Sequence, residues 1–119
     1  MSNSKNKTQK KIDNTIRKAL TEACSIFMAE IKGFEWLTHR VNYTNFPASL
    51  IVICVFDTPA NQQRGESAGE FVTMQKQIQA KLLKVGVKFK VLGRQVIFDN
   101  EQACQQGHEG DWERRLARH

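Results

Sequence analysis

No stretch of this sequence is long and apolar enough to cross a bilayer. Its longest unbroken apolar run, Leu50 to Phe56, is far short of the roughly 20 residues a membrane helix needs. Met1 to Lys11 holds lysines with no apolar stretch behind them, so no secretory signal is expected there. Cysteine is sparse: Cys24, Cys54 and Cys104 are an odd, widely spaced set with no CxxC pair. That excludes a disulfide framework, and reduced thiols in a cytoplasmic protein are the expectation. The patterns GxGxxG, GxxxxGK[ST] and GxSxG are missing, so nucleotide cradles and hydrolase elbows have no support.

Convergent metal ligands are also lacking. Cys104 and His108 stand four apart with no second pair nearby, and no metal or cofactor is expected. Cys54, inside an apolar strand, reads as packing, as does Cys24 on a helix. His39 reads as a polar side chain on a strand. Glu35, Asp57 and Glu70 are the only carboxylates placed for metal-dependent nuclease work. Asp57 opens a turn and Glu70 opens a helix, so both have local reasons to be there.

What is present is a globular composition. The chain has 119 residues, 40% hydrophobic and 25% charged, which suits one domain with its own core. Residues 1–11, MSNSKNKTQKK, are expected to form a flexible basic tail ahead of a single α+β domain over 12–119. Ile12, Ile16, Leu20, Ala23, Phe27 and Ile31 recur at helical spacing, and Gly33 suits the helix end.

Residues 34–43 alternate. Leu37, Val41 and Tyr43 share one side; Trp36, Thr38, Arg40 and Asn42 share the other. A turn at Thr44–Pro47 leads to a second strand, 49–57, apolar on both faces. Residues 58–69 read as a polar loop. A helix follows from Glu70 to Val85 on the stripe Phe71, Met74, Ile78 and Leu82. Val87, Phe89 and Val91 alternate with lysines, and Val96 and Phe98 are expected to return as the partner strand of a hairpin. Two short helical pieces end the chain, with Asp111 suited to cap the second.

The expected order is α-β-β-α-β-β-α, a four-stranded mixed sheet with helices packed on it. The second strand predicts a cover for its other face. Either the C-terminal segment folds back, anchored by Trp112 and Leu116, or a second subunit lies there.

Charge placement says more than the net charge of +6. From Phe71 through Phe98 the basic residues Lys76, Lys81, Lys84, Lys88, Lys90 and Arg94 meet no acid. Surfaces selected only for solubility mix both signs. Phosphate backbones need several cations held together, because affinity comes largely from counterion release. Arg40 and Trp36 share a strand face, which would add a ring and a cation if that face also carries Lys88 and Lys90. Lys5, Lys7, Lys10 and Lys11 would add a basic arm, and Arg114, Arg115 and Arg118 another.

The sequence therefore predicts a small non-catalytic protein that binds DNA or RNA through its phosphates. One alternative is a homodimeric protein-interaction module. Another is a small metal-dependent enzyme using Asp57 and Glu70, with 58–69 as its lid.

Overall fold

The computed structural model describes residues 7–118. Helix α1, Lys7–Glu30, leads into strand β1, Phe34–Arg40. A 3-10 turn over Tyr43–Asn45 and a cis Phe46–Pro47 bond bring the chain to β2, Ile51–Phe56. Helices α2, Pro59–Ser67, and α3, Glu70–Leu83, cross back. A short turn of helix, α4, Leu92–Gln95, precedes β3, Val96–Asn100. Helices α5, Glu101–His108, and α6, Trp112–Leu116, follow. No helix among the described residues is long and apolar enough to cross a membrane.

The class is α+β with a mixed sheet, but among the described residues the sheet has three strands in the order β1-β2-β3, not four. β1 and β2 form the expected antiparallel hairpin, and β3 lies parallel to β2. The strand expected at Val87–Val91 does not form. The side chain of Gln95 accepts from the backbone N–H groups of Lys90 and Val91 at 2.7 and 2.8 Å. Its amide also donates to the carbonyls of Pro47 and Leu50 at 3.0 and 2.9 Å. Backbone groups satisfied this way have no need of a ladder. The apolar/basic alternation survives without a strand: Val87 and Phe89 are buried, while Lys88 and Lys90 are exposed.

Two further boundaries move. α1 starts at Lys7, so Lys7, Lys10 and Lys11 lie in its first turns. Residues 1–6 of the expected tail, Lys5 among them, lie outside the described residues. The stretch 58–69 is mostly helix. Thr58 caps α2 by accepting from the Asn61 N–H at 3.2 Å, and Pro59 takes the first helical position. Gly69, at φ +79°, breaks the chain between α2 and α3.

One face of the sheet packs on α1 and α3. Val52, Cys54 and Phe56 meet Ile16, Leu20, Ala23 and Phe27 of α1 and Met74, Ile78 and Leu82 of α3. The other face presents Ile53 and Val55, and of the two covers the sequence allowed, the C-terminal segment is the one that folds back here. Leu116 packs on both, and the Trp112 ring meets Trp36 edge-on at 4.9 Å. The Glu101 carboxylate accepts from both indole N–H groups at 2.7 Å. Arg115 clamps Asp99 at 2.7 and 2.8 Å. The strand that called for a cover is thus covered within the chain.

Candidate nucleic-acid interface

Strand direction sorts the charged side chains. β1 finishes at Arg40 opposite Ile51, where β2 begins, and β3 begins beside β2 at Val96. A parallel β-strand pair requires its crossover to return to the starting end. α2 and α3 make that return. Phe71, early in α3, stacks on Phe98 at 3.6 Å, and Gln75 one turn later reaches the Val96 carbonyl at 3.0 Å. The last turn of α3 and all of 84–95 therefore lie at the end where β2 and β3 start. Lys84, Lys88, Lys90 and Arg94 are all exposed there, with Arg40 at the same end on β1.

α1 brings its own cations to this end. Asp13 accepts from the His39 ring at 2.9 Å and from the Tyr43 hydroxyl at 2.8 Å. Fourteen residues on, Phe27 meets Phe34 at the opposite end, 5.5 Å between ring centres. The N-terminal half of α1, with Lys7, Lys10, Lys11, Arg17 and Lys18, thus projects at the end where β2 begins. No acidic residue occupies the first turn of α1, although helix dipoles favour acids there and disfavour lysines. Asp13 is the one carboxylate in this half of the helix, and it is buried beneath its partners. Burial and the Asp13 carboxylate both push the Tyr43 phenol well above its ordinary range.

The acids gather elsewhere. Glu30, Glu35, Asp57, Glu66, Glu70 and Glu101 all sit near the opposite strand ends. Asp57 is held by the Thr58 N–H at 2.7 Å and by Asn61 at 2.9 Å. Burial raises its pKa, but these bonds outweigh burial and hold the carboxyl below the ordinary range. Glu70 pairs with Arg64 at 2.9 Å. Among the described residues no group of three or more His, Cys, Asp and Glu side chains converges to hold a metal. Cys104 is buried, and His108 lies 3.3 Å from Arg115.

The sequence-derived site is thus divided. Lys84, Lys88, Lys90, Arg94 and Arg40 come to one end. Lys76 lies mid-helix on the exposed side of α3, and Lys81 pairs with Glu22 at 3.2 Å. Trp36 is engaged by Trp112 and Glu101, and no strand carries Lys88 and Lys90 beside it, so the combined aromatic and cationic face does not form. Arg115 is buried against Asp99, and Arg118 reaches the same carboxylate at 3.3 Å. Arg17 and Lys18 were not singled out from sequence. The signal available was the run of α1 cations at a helix start, where the dipole opposes them.

Comparison with protein-family models, with curated proteins and with solved structures gives no match to this chain.

Proposed function

We propose that this is a non-catalytic cytoplasmic protein that binds the phosphate backbone of DNA or RNA through its basic end. One observation carries the reading. Lys84, Lys88, Lys90, Arg94 and Arg40 share an end with the basic half of α1, while the carboxylates near the far ends of β2 and β3 are held away from it. Cations held together on a rigid scaffold raise local anion concentration more than the same cations dispersed. Contacts to phosphates carry no base information, so binding should be indifferent to sequence.

The test is fluorescence anisotropy with a labelled DNA duplex over a salt series. Log affinity should fall linearly with log salt, by about 0.9 for each phosphate contacted. The double charge reversal Lys88→Glu, Lys90→Glu should weaken binding at least about tenfold at low salt. An affinity that ignores salt, or that survives the reversal intact, would refute the proposal.

A further inference from the structure

Among the described residues β1 is the edge of the sheet, with β2 on one side and no strand on the other. A groove of about 1050 Å³ runs between this free edge and α1. Its strand-side wall is made of consecutive residues, Leu37 through Asn42. Successive side chains of a strand point to opposite faces. Leu37 faces the α1 layer, while Trp36 on the neighbouring position faces the other. A wall that uses every residue in turn is therefore the backbone edge of the strand and not one of its faces. Among the described residues, ladder partners of Leu37–Arg40 come only from β2. The Cys24 thiol also bonds to the Leu37 backbone. The remaining outward N–H and C=O groups are a template for another strand. Protection of this edge is partial: Cys24 of α1 engages it at Leu37, but the stretch has no proline, no lysine and no bulge after Trp36.

The opposite wall is α1, where Leu20, Cys24 and Met28 recur at four-residue steps. Met28 is 58% exposed, the highest of the large apolar side chains that stand out from the surface. An edge strand flanked by a helix face that sets Cys24 and Met28 among Arg17, Thr21 and Ser25 fits one mode of recognition, the addition of an extended peptide.

We propose that the groove takes an extended acidic segment of a partner protein as a fourth strand beside β1. Its main chain would pair with the outward groups of Thr38–Arg40, and alternate side chains would lie against Cys24 and Met28. Charge selects the occupant. Arg17 and Arg40 line the groove, and the one acid there, Asp13, is engaged by His39, Tyr43 and Arg17. An acidic strand complements these cations. A second copy of this chain would set them against themselves across a two-fold axis. A nucleic acid has no peptide groups to complete a ladder.

The probe is a fluorescein-labelled decapeptide alternating valine and glutamate. One control alternates valine and lysine; another replaces the valines with proline, which cannot donate to a ladder. The acidic peptide should bind saturably, and each control at least about tenfold more weakly. Amide hydrogen exchange at the outward N–H groups of Thr38–Arg40 should slow when it binds. Arg40→Glu should weaken binding about tenfold with the unfolding midpoint unchanged. Lys88→Glu with Lys90→Glu should leave peptide affinity within about twofold while lowering duplex affinity, which separates this claim from the nucleic-acid one. Equal binding of the proline control, or no protection at β1, would overturn the proposal. So would protection of β1 by concentration-dependent dimerisation of the protein without peptide.

Discussion

Gln95 ties together two segments that no strand pairing joins. Its amide joins the 87–91 segment to the turn after β1, and it is only 5% exposed. Gln95→Ala leaves the buried Leu50 carbonyl and several part-buried backbone groups without this partner, and a fully buried group left so costs about 1 to 3 kcal/mol. The expected loss is roughly 2 to 4 kcal/mol in urea unfolding, with Lys88 and Lys90 losing their fixed positions. Asp99 sets a second test. Burial pushes its pKa up, but the Arg115 hydrogen bonds and charge outweigh that, and its carboxyl sits below the ordinary aspartate value. A depressed folded pKa contributes stability above the unfolded value, near about 3.9, and loses it as pH falls through the folded value. Unfolding free energy should therefore drop as pH is lowered from about 5, and Asp99→Asn should flatten that drop while lowering stability at neutral pH. An unchanged acid slope in Asp99→Asn would contradict the assignment.

At the scale of elements, α6 is short but holds a whole sheet face. Trp112→Ala removes an edge-on ring contact and the hydrogen bond to Glu101, and should cost about 2 kcal/mol. Truncation before Asp111 should expose Ile53 and Val55 and produce concentration-dependent association by sedimentation. A truncated chain that stays monomeric and equally stable would count against α6 as the cover. That cover was legible in the sequence, because a strand apolar on both faces, Ile51 to Phe56, needs two neighbours and Trp112 with Leu116 offered one. The first hairpin and α3 were legible for the same reason, namely unambiguous periodicity. The fourth strand was misread. Val87-Lys88-Phe89-Lys90 alternates like a strand, yet its partner is a single glutamine side chain, and no periodicity encodes that. α2 was missed because Pro59 to Ser67 has no apolar stripe; only the Thr58–Pro59 cap marks its start.

Over the whole molecule, the charge is polarised along the strand direction. The crossover places Lys84 to Arg94 beside the start of β2, and the α1 helix adds Arg17 and Lys18 to the same end. Sequence reading found the acid-free run from Phe71 to Phe98. It could not find its convergence with α1, which depends on which way the strands run. Trp36 fell out of the candidate site because its ring serves the C-terminal cover. The most direct measurement compares two double charge reversals that leave the protein with one and the same net charge. Lys88→Glu with Lys90→Glu changes the basic end; Lys32→Glu with Arg114→Glu changes exposed cations away from it. All four sites are exposed, so each variant should keep stability to within about 0.5 kcal/mol per substitution. In low-salt anisotropy titrations with a DNA duplex, the first pair should lose at least about tenfold in affinity and the second no more than about twofold. Equal losses in both would mean that net charge alone attracts the duplex, and the basic end would not be a binding surface.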